Sequence, residues 1–316
     1  MFRKALPFVL LALALGAGAA WLFLRTPPLP DRPDIPFAAA VDPDLSDPDN
    51  PLRRYPLDLA RVEAEVPLSR AALLSLTPGN LKTFSQEELD QIYGRLTAGP
   101  IPDGIYAGSL IFPRGADGSL APRLQEVLGG IGGEIAGDKI ERIERVGELL
   151  WKGKVFDRET RVLRNMIEDL KAFGPLIDDA SALPELTIPR RSWLRIVRPT
   201  TTVRLMFPAK LYCGQSLIDG RREAVIIDYA YADEIEGYQP GPDALASRDG
   251  LRIRDEIRMV RPGLYLGRAY ANRVFLVNFF LYNEDVANAA AADFAAGKSP
   301  PEDCWAGEQL RQVLLE

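Results

Sequence analysis

A chain of 316 residues, 47% hydrophobic and 26% charged, can hold one large domain or two small ones and has the composition of a folded soluble protein. It contains no histidine, which excludes Ser-His-Asp and Cys-His catalysis and histidine zinc sites, and leaves acid–base work to Asp, Glu, Lys, Tyr or Cys. A net charge of −6 without a basic run or stripe argues against nucleic acid as a partner.

The first predicted element is apolar. Arg3 and Lys4 precede an uncharged run, Ala5 to Leu24, which Arg25 closes. As a helix this run reaches about 30 Å, the thickness of a bilayer core. The positive flank should stay in the cytoplasm, so residues 1–25 read as a transmembrane signal anchor with the rest of the chain in the periplasm. Ala17-Gly18-Ala19 also resembles a cleavage site, which leaves secretion after cleavage as the alternative. Residues 26–56, rich in Pro and Asp, read as a disordered linker, and 57–316 as one exported domain.

Within that domain 57–100 is a helical lead-in. Ser85 and Glu88 form a capping box ahead of Leu89, Ile92, Tyr93 and Leu96 on one helical face. A strand follows from Ile105 to Phe112. Leu124, Val127, Leu128, Ile131 and Ile135 keep helical spacing in a glycine-rich stretch where Gly129, Gly133 and Gly137 recur every fourth residue, a stripe for close backbone packing or, alternatively, for contact with lipid or cover of a ligand entrance. No Gly-Lys-Ser/Thr follows it, so it is no phosphate loop. Asp138 and Glu141 cap a further helix, and strands are expected at Trp151–Phe156, Arg161–Ile167, Val203–Cys213 and Arg222–Tyr231. Arg190-Arg191 with Trp193 reads as a loop, or as an interfacial anchor.

Leu251 to Tyr282 reads as three antiparallel strands joined by turns at Arg261-Pro262-Gly263 and Ala271-Asn272. In the first, Leu251, Ile253, Asp255, Ile257 and Met259 point to the dry face and Arg252, Arg254, Glu256 and Arg258 to the wet one. Asn283 to Ala296 and Gly307 to Leu315 are expected to be helical. Cys213 and Cys304 form one disulfide, or remain as two thiols. The fold class is α+β: an antiparallel barrel or strongly curved sheet spanning 104–282, with flanking helices and C-terminal helices in 283–316.

Gly132-Gly133-Glu134 through Leu149-Leu150-Trp151-Lys152-Gly153-Lys154-Val155-Phe156 resembles the Gly-x-Trp-x-Gly (GXWXG) domain of bacteria. Leu211 to Tyr229, with Gly214 and Ile226-Ile227-Asp228-Tyr229, and the hairpin Arg254 to Tyr270 resemble the domain that follows it. The resemblance covers about half the chain and implies a lipocalin-like small barrel. The family's first tryptophan and its histidine have no counterpart here, so no catalytic residue is carried over.

Polar residues on apolar strand faces mark the candidate site. Asp255 is one; Asp228 shares a face with Ala224 and Ile226, Arg268 with Leu264, Leu266 and Tyr270, and Asn278 with Val274, Leu276 and Phe280. A buried Asp255 needs an opposite charge, and Arg268 on the neighbouring strand is its expected partner. The pair either fixes strand register or anchors a ligand head group; acid–base chemistry by Asp255, Asp228 and Arg268 is a further reading. Lys152 and Lys154 are expected in solvent, Trp151 and Phe156 in the core, and Tyr229 and Tyr231 on the outside opposite Asp228. The expected function is non-catalytic binding of an apolar, lipid-like or isoprenoid-like molecule, with the membrane reached through residues 5–24 and no cofactor or metal. An envelope scaffold with a filled barrel is the rival.

Overall fold

A computed structural model of the protein describes residues 31–39, 57–111, 150–170, 177, 183–189 and 200–307. The apolar run 5–24, the glycine stripe, the helix capped by Asp138 and Glu141, the Arg190–Trp193 segment and nearly all of the expected closing helix lie outside these residues.

Nine strands are described: β1 (Gly104–Ile111), β2 (Trp151–Asp157), β3 (Val162–Ile167), β4 (Glu185–Pro189), β5 (Thr200–Gln215), β6 (Glu223–Asp228), β7 (Ile253–Arg261), β8 (Leu264–Ala271) and β9 (Val274–Tyr282). Every pairing among them is antiparallel. Strand β1 pairs with both β2 and β9, and β3 pairs with both β2 and β5. The ring β1-β2-β3-β5-β6-β7-β8-β9 therefore closes into an eight-stranded barrel, and β4 pairs with β5 alone. Closure removes the exposed edges that an open sheet would carry. The β8–β9 turn places Asn272 and Arg273 at φ of 46° and 71°, the left-handed pair that a tight hairpin twisted with its strands requires.

Helices α1 (Leu59–Glu65), α2 (Arg70–Ser75) and α3 (Gln86–Gly94) precede the barrel; a one-turn α4 (Pro240–Asp243) and α5 (Glu284–Ala295) follow later. Ser85 accepts from the Glu88 amide and Glu88 from the Ser85 amide, so the capping box starts α3. The helix then packs Leu89, Ile92 and Tyr93 against Ile111, Val260, Leu264, Leu266 and Phe280 on the barrel's outer surface.

This helical layer corrects the expectation of a wet face on β7. Glu256 and Arg258 are fully buried beneath it. Each is compensated: Glu256 pairs with Arg254 and accepts from the Leu217 amide at 2.9 Å, while Arg258 donates to Asp219 at 2.8 Å and to the Arg222 carbonyl at 2.9 Å. Part of the expected linker is packed as well. Ile35 is buried, Phe37 stacks edge-on against Phe84, and Gln91 of α3 holds Ala38 through two backbone hydrogen bonds.

Inside, one end of the barrel is filled. Tyr106 meets Phe156 and Tyr265 edge-to-face, and Ile257, Met259 and Leu281 occupy the gaps. The C-terminal tail stoppers this end. Cys304 is disulfide-bonded to Cys213 of β5, Asp303 accepts from the Ile101 amide at 2.7 Å, and Glu302 accepts from the Gly99 amide at 2.6 Å.

Candidate functional site

The opposite end of the barrel is hollow. A cavity of about 320 Å³ lies where β6 ends and β7 begins, and Leu245 and Leu251 of the loop ahead of β7 stand at its rim. Leu110, Ile167, Phe207, Ile253, Ala269 and Phe279 supply an apolar wall. Four polar side chains interrupt that wall, Lys154, Asn165, Tyr229 and Asp255, and Trp151 adds its indole N–H. All four are buried: Lys154 is 2% exposed and Asp255 4%.

Two local distortions bring them together. In β2 the pairing with β3 slips between Trp151 and Gly153, and Gly153 takes a φ of 125°. A Cβ there would sit 2.0 Å from the Tyr106 carbonyl oxygen, so glycine is required. The slip sends both Trp151 and Lys154 to the cavity and leaves Lys152 outside, paired with Glu168 at 2.8 Å. In β5 the pairing slips at Phe207, whose φ is 51°, which frees its carbonyl to accept from Asn165 at 3.1 Å.

Lys154 is the hub. Its Nζ donates to the Tyr229 hydroxyl at 2.6 Å, to Asn165 Oδ1 at 2.8 Å and to Asp255 Oδ2 at 2.9 Å. Tyr229 donates to the same Asp255 oxygen at 3.1 Å, and Asn165 donates to Tyr229 at 3.1 Å. Trp151 Nε1 donates to Asn165 Oδ1 at 2.9 Å. The ammonium also lies within 5.4–5.6 Å of the Trp151, Tyr229 and Phe279 rings, whose faces favour a cation. Burial pulls the Lys154 pKa down, and the adjacent Asp255 carboxylate restores part of it. Burial, then the Asp255 charge, holds the Tyr229 phenol well above its ordinary value.

The sequence-predicted residues divide between two surfaces. Asp255 faces the interior as expected, but its partner is Lys154 and not Arg268. The register pairs Asp255 with Ala269 and Arg268 with Glu256, which puts Arg268 on the outer surface. There Arg268 pairs with Asp90 of α3, donates to Tyr270 at 2.9 Å and lies 4.4 Å from the centre of the Phe275 ring. Burial opposes its charge, yet Asp90 and Tyr270 outweigh that and raise its pKa. Asn278 is beside Arg268 in the register and donates to Gln86 at 2.8 Å; its Oδ1 is buried without a partner among the described residues. Asp228 also faces outward and accepts from Tyr212 at 2.7 Å. Asp255, Asp228 and Arg268 thus do not converge, and no acid–base site joins them.

Two residues of the cluster differ from their expected places: Lys154, expected in solvent, and Tyr229, expected on the outside, both line the cavity. Trp151 packs against the core as expected and also forms part of the cavity wall. One signal was available for the lysine, since Lys154 stands two residues from Phe156 on the same strand face. Asn165 carried no signal of its own.

No protein-family model matches the chain, and no curated protein or solved structure is significantly similar to it.

The buried phenols set the alkaline limit of the fold. Burial holds Tyr93, Tyr229 and Tyr265 well above the ordinary pKa of 10. The unfolded chain releases those protons near pH 10 while the folded one keeps them. The stability they contribute is complete below that pH and falls as the pH rises above it. Phenolate absorbance from these tyrosines is expected to appear only together with loss of near-ultraviolet dichroism. Ionisation of these three near pH 10 in a protein still folded, identified by its loss in the matching Tyr→Phe variants, would show instead that water reaches them.

Proposed function

We propose that the barrel binds one small apolar molecule, lipid-like or isoprenoid-like, and carries it without chemical change. The carrying observation is the cavity: an apolar chamber of about 320 Å³ with a single polar cluster in its wall. That volume lies at the lower end of the range of small-molecule pockets, and apolar walls with a few convergent polar groups are their usual construction. Binding without turnover fits the cluster, because three acceptors hold the Lys154 ammonium and leave it no free lone pair for nucleophilic work. No cofactor enters this reading. The hollow end of the barrel favours a carrier over a scaffold with a filled interior.

The proposed place of action is the periplasmic side of the inner membrane, with residues 5–24 as the tether. The disulfide supports an oxidising compartment. Among the described residues no helix is long and apolar enough to cross a membrane, and the run 5–24 lies outside them.

Native mass spectrometry of the full chain, prepared from membranes in mild detergent, tests the reading. A discrete added mass that organic solvent removes is expected. A bare polypeptide mass that persists after incubation with membrane lipid extract would overturn it.

A further inference from the structure

Hydrogen-bond capacity at the cavity wall selects the head group. Lys154 offers three N–H donors, and Asn165, Tyr229 and Asp255 take all three. Asn165 uses one amide hydrogen on the Phe207 carbonyl and the other on Tyr229. The Tyr229 proton goes to Asp255, and the Trp151 indole proton goes to Asn165. The remaining lining side chains are apolar. The backbone amides of Leu251 and Ile253 are bonded to the Leu245 and Ala246 carbonyls. No donor is left over among the described lining groups.

Acceptor capacity is different. Asn165 Oδ1 and the Tyr229 oxygen each accept twice and are full. Asp255 Oδ2 accepts from Lys154 and Tyr229, but Asp255 Oδ1 has no hydrogen-bond partner among the described residues. A nearly buried carboxylate oxygen left open against an apolar chamber is costly unless something donates to it.

Resting on the reading of this cavity as a binding site, we propose that its ligand is an apolar alcohol whose hydroxyl donates to Asp255 Oδ1. Charge decides between donors. Lys154 and Asp255 already neutralise each other, so an ammonium ligand would leave a net positive charge in a low-dielectric chamber. A carboxylate ligand would meet no donor and one like charge. An aldehyde or ketone would meet no donor and leave Asp255 unsatisfied. A neutral hydroxyl completes the cluster and adds no charge.

Geraniol, geranial and geranic acid share one apolar skeleton and differ only in the head group. Titrated against the full chain with the ligand-dependent change in intrinsic tryptophan fluorescence as the readout, geraniol is expected to bind about tenfold or more tightly than either of the others, the scale of one hydrogen bond to a charged acceptor. Tyr229→Phe supplies the second arm. Removing that hydroxyl releases one Lys154 N–H and one Asn165 N–H into the chamber, so geranial and geranic acid should gain affinity in the variant. Equal binding of all three by the native protein, or preference for the acid, overturns the alcohol assignment and leaves the carrier reading intact. Failure of all three to bind counts against the carrier reading itself. If Tyr229→Phe stays folded and binds the aldehyde and acid no better than the native protein does, the donor accounting is wrong.

Discussion

Lys154→Met is expected to destabilise the domain by roughly 3–5 kcal/mol, the cost of leaving one member of a buried ion pair uncompensated. The methionine replaces most of the aliphatic stem, so little of the loss comes from packing. It comes from Asp255, which is only 4% exposed and loses the ammonium 2.9 Å away. Asn165 and Tyr229 each lose a donor as well. Adding Asp255→Leu should return most of the stability, because an apolar pair of similar volume avoids the desolvation of both charges. Urea unfolding midpoints of the native protein, the single variant and the double variant test this directly. A single variant within about 1 kcal/mol of native would mean that water reaches Asp255 and that the cluster is not sealed.

The second large effect belongs to the disulfide. Cys213 and Cys304 are 91 residues apart, and a loop of that length removes enough entropy from the unfolded chain to stabilise the fold by about 4–5 kcal/mol on the loop-closure model. Cys304→Ser should therefore lower the thermal midpoint by many degrees, and a reductant should do the same to the native protein. Part of the loss would be local. The bond holds the tail against Gly99 and Ile101, where Glu302 and Asp303 accept backbone hydrogen bonds. A reduced protein that melts within a degree of the oxidised one would show that those carboxylates seat the tail unaided.

The β-meander was largely written in the sequence. The strand at β7, its turn at Pro262-Gly263 and the inward face Ile253, Asp255, Ile257 and Met259 follow from alternation and turn chemistry alone. The choice between a closed barrel and a curved sheet was not legible, because closure depends on β3 meeting β5, a pairing across nearly forty intervening residues. Which face of β6, β8 and β9 turns inward was also hidden. The outer face of β8 and β9 lies under α2 and α3 and is as apolar as the inner one, and on β6 the outward Ala224 and Ile226 are as buried as Val225 and Ile227, so both faces look like interior. This ambiguity misdirected Arg268, Asn278 and Asp228. Lys154 was lost for another reason: alternation groups it with Lys152, and only the slip at Gly153 separates them.

The tail that closes the far end of the barrel has a consequence for traffic. A barrel corked at one end by its own C-terminal segment is a cup and not a pipe. On the carrier reading proposed above, a ligand would then enter and leave by the same mouth, which among the described residues is the one at Leu245 and Leu251. Filling and emptying would have to proceed by turns, in separate encounters.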